Sequence, residues 1–124
     1  MHSTLDYLDF DYSEDADGNG SFDAMAAVAP QRLAALQAEL LRVLDWASQE
    51  FGGVRGPLDD GGDWDCELQG MQEVATPLQV RYEGAAGGLQ LEPATAGVPR
   101  ITLSLTLGGT PAFCAALRER FGLP

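Results

Sequence analysis

Carboxylates are the side chains of this sequence with the clearest potential for chemistry, and they fall into two runs. The first run extends from Asp6 to Asp23 and the second from Asp59 to Glu67, and neither contains a basic residue. Grouped carboxylates can ligate a divalent cation or attract a basic protein surface. We expect one strongly negative rim if the two runs meet in the fold. Two solvated loops at separate ends of a sheet are the alternative.

A motif inside the first run has oxygen-bearing side chains at positions 15, 17 and 19, and Gly20 follows them. It resembles the calcium-binding loop of the EF-hand family, in which the first, third and fifth residues are ligands. The resemblance implies a cation site formed by Asp15, Asp17, Asn19 and Asp23. The motif departs from the family at Ala26, where EF-hand loops have a bidentate glutamate, so we expect millimolar affinity at best. An acidic hairpin turn is the alternative interpretation.

The residues needed for nucleophilic catalysis are scarce. A serine or cysteine nucleophile usually needs a nearby base, but His2 is the only histidine and the chain has no lysine. Cys66 and Cys114 form no CxxC pair, so we expect reduced thiols and no zinc site, although a disulfide between them stays open. Paired carboxylates also serve glycosidases, and chance pairs are expected among 19 acids. The sequence favours a non-catalytic protein without a cofactor.

Composition limits the partners that this chain can have. The net charge is −12, because 19 acids oppose seven arginines. Such a surface repels nucleic acid and anionic membranes and attracts basic proteins. The N-terminal residues lack the apolar run of a signal peptide, and no stretch is apolar enough to span a membrane, so we expect a cytoplasmic protein. A chain of 124 residues predicts a single domain, 1–124.

A tryptophan on the predicted long helix is a second candidate for partner binding. On a helical wheel, Trp46 lies away from the leucine stripe, beside Glu39, Arg42 and Glu50. An exposed tryptophan among charges is a candidate interface anchor, whereas a ring packed over the edge of the sheet or on a loop is the alternative. The candidate partner-binding residues are Trp46, Asp59, Asp60, Asp63 and Asp65.

Hydrophobic periodicity predicts the elements that position these groups. Alternation over 4–13 and 21–28 predicts a β-hairpin, and the three-and-four spacing over 30–51 predicts a helix. Four more strands follow, and a helix that Thr110 caps completes the order ββα-ββββ-α. We predict an α+β two-layer sandwich, with a mainly antiparallel sheet of about five to six strands and two helices on one face.

The same periodicity predicts which side chains form the core. The residues predicted to lie between the helices and the sheet are Leu40, Leu44, Leu103, Leu105, Phe113 and Leu117. Trp64 is predicted to be core, and Leu78, Val80 and Tyr82 are predicted to face inward. With no catalytic constellation, the favoured function is a small acidic adaptor, chaperone or neutralising protein that recognises a basic partner. A weak calcium-binding domain is the alternative, and the oligomeric state stays open.

Overall fold

The computed structural model describes residues 5–51, 56, 61–94 and 97–124. The elements are, in chain order, β1 (Asp11–Glu14), β2 (Gly20–Val28), a 3₁₀ turn (Pro30–Arg32), α1 (Leu33–Glu50), β3 (Trp64–Ala75), β4 (Leu78–Tyr82), the four-residue helical turn α2 (Gly84–Gly87), β5 (Leu89–Pro93), β6 (Val98–Gly109) and α3 (Pro111–Phe121). The predicted α+β class and the order of the main elements are confirmed.

The strands form a four-stranded antiparallel sheet in the order β1-β2-β6-β3 and a separate pair, β4-β5. In the larger sheet β6 lies between β2 and β3, so that Leu107 is opposite both Phe22 and Cys66. The six predicted strands therefore divide into four and two, and only the four lie beside the two long helices.

Period-two alternation in β2 separates the two faces of the sheet. Side chains at even positions from Phe22 to Val28 are buried, whereas Asp23, Met25 and Ala27 are exposed. The buried residues of β2, β6, α1 and α3 belong to one apolar cluster, so both long helices cover the same face. The opposite face of the sheet, here called the open face, carries the odd-numbered residues of β2.

An aromatic stack closes the core where β3 begins. The rings of Trp64 and Phe113 lie nearly parallel, with centroids 5.6 Å apart, and the Trp64 Nε1–H donates a hydrogen bond to the Phe51 carbonyl oxygen. Trp64 is buried, as predicted. The other predicted core residues divide: Leu40, Leu105, Phe113 and Leu117 are buried, while Leu44 and Leu103 are half-buried beside the α1–β3 boundary.

The chain before β1 differs from its prediction. Residues 5–10 are not a strand, although Leu8 and Phe10 are buried as the alternation predicts. The backbone N–H groups of Asp6, Tyr7 and Leu8 donate instead to the carboxylate of Glu39 on α1. Glu39, which the helical wheel placed among surface charges, is only 3% exposed, because it satisfies backbone donors that have no strand partner.

The β4–β5 pair corrects a second expectation. Leu78, Val80 and Tyr82 were predicted to face the core, but all five residues of β4 and all five of β5 are exposed. The alternation is real and gives the pair one apolar face. The prediction of burial was wrong because neither α1 nor α3 reaches this part of the chain.

Candidate functional site

The open face of the four-stranded sheet gathers acids from both carboxylate runs. Strand pairing aligns Asp11 with Asp23, Asp23 with Thr106, and Thr106 with Glu67. These four residues form one row across β1, β2, β6 and β3, and directly opposite side chains share a face. The two runs therefore meet in part. Asp23 and Glu67 are two strand spacings apart, which is about 10 Å.

Neighbouring positions extend the negative surface. Asp65 lies one row from Glu67, opposite Gly108, and Asp9 joins Asp11 and Asp23 in lining a shallow depression of about 510 Å³. Ala24, Met25, Ser104 and Thr106 line the rest of this depression. The Thr106 hydroxyl donates to Asp23 Oδ1 at 2.6 Å, which fixes that carboxylate at the centre of the row. Among the described residues, Arg100 is the only arginine in the strands of this sheet.

Two methionines add apolar contact area to the open face. Met25 on β2 is 69% exposed and Met71 on β3 is 59% exposed. Met25 lies opposite Ser104, and Met71 lies opposite Thr102, which is two residues along the same strand. Methionine side chains adapt their shape to different partners. The face thus combines carboxylates with flexible apolar side chains.

The predicted cation loop is a tight turn in which Asp15 bonds its own backbone. Asp15 Oδ1 accepts hydrogen bonds from the N–H groups of Asp17 and Asn19, and Gly18 adopts a φ of 84°. Asp23 lies away from this turn, on β2, where it bonds Thr106. Within the described residues, no group of three or more His, Cys, Asp or Glu side chains is placed to hold a metal ion. Calcium binding by this loop stays a prediction.

Trp46 is half-buried in an intramolecular aromatic cluster. Its ring centroid lies 5.7 Å from that of Phe121, 6.1 Å from that of Phe113 and 6.2 Å from that of Phe51. The ring thus joins α1 to α3 at one end of the fold. Its role as a partner anchor stays a prediction.

The second acid run is only partly described. Asp59 and Asp60 lie outside the described residues. The carbonyl oxygen of Asp63 accepts a hydrogen bond from the Thr110 N–H, which links the start of β3 to the start of α3. Asp65 Oδ1 accepts one from the N–H of Cys66. Of the predicted partner-binding acids, Asp65 is therefore the one that the described strands place on the open face.

A polar group under β1 was not foreseen from the sequence. The Arg118 guanidinium lies 3.7 Å from the centroid of the Tyr12 ring, and the Tyr12 hydroxyl donates to Glu14 Oε2 at 2.7 Å. This hydrogen bond raises the pKa of Tyr12. Burial raises the pKa of the neighbouring Cys114 thiol, which weakens its nucleophilicity. Cys66 and Cys114 are both free thiols, as expected.

Comparison with known proteins identifies no relative of this chain. No protein-family model matches the chain, and no curated protein or solved structure is significantly similar to it. None of the helices in the described part of the chain is long and apolar enough to cross a membrane.

Proposed function

We propose that this chain is a small, non-catalytic binding protein whose open sheet face receives a basic segment of a partner protein. The observation that carries the proposal is the row formed by Asp11, Asp23, Thr106 and Glu67 on a face that no described helix covers. Adaptors, chaperones and neutralising proteins are the classes that such a surface would serve.

The chemistry of the open face supports a protein partner of mixed character. The acids Asp9, Asp11, Asp23, Asp65 and Glu67 would attract lysine and arginine side chains and speed their encounter. The exposed methionines lie on the same face and would contact apolar side chains. A basic, amphipathic segment meets both requirements, whereas a phosphate backbone would be repelled.

Selection from a random-peptide library tests the proposal, because such a library contains basic, neutral and acidic segments. Peptides enriched on the immobilised protein should be rich in arginine and lysine, and the enrichment should weaken at high salt. The double variant Asp23→Asn with Glu67→Gln should lose this enrichment. The matched control, Asp45→Asn with Glu50→Gln, removes the same charge from exposed positions on α1 and should keep it.

Two results would contradict the proposal. One is an enriched set without basic residues. The other is equal loss in the two double variants, because that would mean that net charge, rather than the row on the open face, attracts the peptides.

A further inference from the structure

The β4–β5 hairpin has an apolar face that nothing in the described chain covers. Strand pairing sets Val80 opposite Leu91 and Tyr82 opposite Leu89, and Leu78 lies two residues from Val80 on the same side. These five residues are here called the hairpin face. Tyr82 is 73% exposed, and the other four are each more than half exposed. An isolated two-stranded hairpin is only marginally stable in water, so this face needs a cover.

A second apolar surface lies between α1 and β3, where the helices leave the edge of the sheet open. It is a groove of about 370 Å³, and its leucines are Leu40, Leu41, Leu44, Leu68 and Leu103. Leu41 and Leu68 are each 54% exposed. The groove follows β3, which is an edge strand of the four-stranded sheet. This surface is here called the α1–β3 groove.

The hairpin belongs to a long exposed stretch of the described chain. Every residue of β3 from Glu67 to Ala75 is exposed, and so is every residue of β4 and β5. A stable interface uses about 800 Å² from each partner, or roughly 20–30 residues. The hairpin, the adjoining part of β3 and the groove together offer a surface of that order.

The distribution of charge indicates a second copy of this chain as the occupant. Two copies repel each other, because each carries a net charge of −12. The hairpin face and the α1–β3 groove are two surfaces without charged side chains, since glutamines and a glycine complete the lining of the groove. A basic partner would be drawn to the open face instead. Identical acidic chains could therefore approach at these two surfaces with the least repulsion.

We propose that the chain forms a two-fold dimer by reciprocal exchange, in which the hairpin face of each copy packs into the α1–β3 groove of the other. Each copy offers one exposed apolar hairpin face and one apolar groove. A two-fold axis satisfies both pairs at once and leaves no open end from which a fibre could grow. The open face, with its acids, stays outside this interface.

Single substitutions separate the two halves of the interface. The wild-type chain should have a mass of about 26 kDa in sedimentation equilibrium, twice that of the 13.2 kDa chain. Val80→Asp on the hairpin face and Leu41→Asp in the groove should each weaken dimerisation at least tenfold. The matched controls are Gln79→Asp, on the polar face of β4, and Ala35→Asp, at an exposed α1 position outside the groove lining, and both should stay dimeric.

Mixing the two monomeric variants tests the exchange itself. The Leu41→Asp chain keeps its hairpin face, and the Val80→Asp chain keeps its groove, so together they retain one intact contact of the two. Native mass spectrometry should therefore detect the mixed dimer at concentrations where neither variant pairs with itself. In the wild-type chain, a photo-crosslinking residue at Tyr82 should label peptides from α1 of the other copy.

Several results would overturn the proposal. One such result is a wild-type chain that stays monomeric at millimolar concentration. Another is a Leu41→Asp chain that dimerises as strongly as the wild type, because the groove would then take no part in the interface. Crosslinks confined within one chain would show that the hairpin folds back on its own groove. Raising salt from about 0.05 M to about 0.3 M should strengthen dimerisation but weaken the binding of basic peptides to the open face. The two proposals can therefore fail separately.

Discussion

The Oε2 atom of buried Glu39 accepts a hydrogen bond from the backbone N–H of Leu8 at 2.7 Å, and it accepts a second from Tyr7 at 2.9 Å. The other carboxylate oxygen accepts a third, from Asp6. One side chain on α1 thus replaces the strand partner that residues 6–8 lack. The segment that leads into β1 is held against the helix through this carboxylate.

Removing this carboxylate should loosen the segment before β1. Glu39→Ala leaves three backbone donors without an acceptor, so we expect the free energy of unfolding to fall by about 2–3 kcal/mol. Glu39→Gln keeps one acceptor oxygen and should cost less. Urea denaturation measures both. The control Glu50→Ala, at an exposed position of the same helix, should change stability by less than about 0.5 kcal/mol. Equal effects at positions 39 and 50 would contradict this role.

Truncation of leucines along the sheet should follow their burial. Leu105→Ala removes a fully buried side chain and should cost about 2–5 kcal/mol. Leu103→Ala should cost less, since Leu103 is half-buried beside the α1–β3 groove. Thermal unfolding of both variants, measured at low protein concentration to limit association, tests the order. A larger loss at Leu103 than at Leu105 would place the core elsewhere.

Neutralising one acid of the row on the open face should stabilise the fold. Asp11 and Asp23 are directly opposite on β1 and β2, where like charges are unfavourable. Asp11→Asn should therefore raise stability by about 0.2–1 kcal/mol at low salt, and the gain should shrink as salt screens the pair. The melting temperature of the wild type should rise with moderate salt for the same reason. Asp45→Asn removes one charge from α1 and controls for net charge. The same salt response in both variants would argue against a local effect.

Stability should decline in alkaline solution because two groups hold their protons more tightly in the folded state. Burial raises the pKa of Cys114, and the bond to Glu14 raises that of Tyr12. Their contribution is complete below about pH 8.5, where the unfolded chain also keeps these protons, and it is lost as the pH rises through the folded pKa values.

Urea denaturation at neutral pH and near pH 10 measures this decline. Cys114→Ala and Tyr12→Phe should each reduce the loss of stability between these two pH values, and the double variant should show the smallest loss. The chain has no lysine, so few other groups titrate in this range. If the double variant loses as much stability as the wild type over this range, other groups cause the decline.

The predicted cation loop, residues 15–23, should bind calcium no more tightly than the millimolar range. Asp15 Oδ1 already accepts two backbone hydrogen bonds, and Ala26 cannot supply the bidentate carboxylate of an EF-hand loop. Calorimetric titration with calcium tests this expectation. Micromolar affinity that Asp15→Asn abolishes would show that the turn rearranges around the ion.

Local patterns in the sequence predicted the fold class because β2, β6 and both long helices each have a strong periodicity. Phe22, Leu105 and Phe113 are buried for that reason. The same patterns could not show that Tyr82 is exposed, since alternation marks an apolar face without showing what covers it. Glu39 was missed because its backbone partners are more than 30 residues away in sequence.

The acidic row also depends on information that local patterns lack. Asp11 and Asp23 could be paired from the predicted hairpin. Glu67 joins them only because β6 lies between β2 and β3, and strand order is a property of the whole sheet. Residue types thus indicated a negative surface, while the topology determined which acids form it.

The central place of β6 sets the order in which this chain can fold during synthesis. β2 and β3 both pair with β6, yet the ribosome makes both of them first. Until residues 98–109 emerge, β3 has no partner strand in the sheet and β2 has only the short β1, so Phe22 and Trp64 cannot be enclosed. Folding must therefore wait for late residues and form contacts between distant parts of the chain, which slows it and leaves unpaired strands open to aggregation. The nascent chain is thus most vulnerable just before its central strand is made.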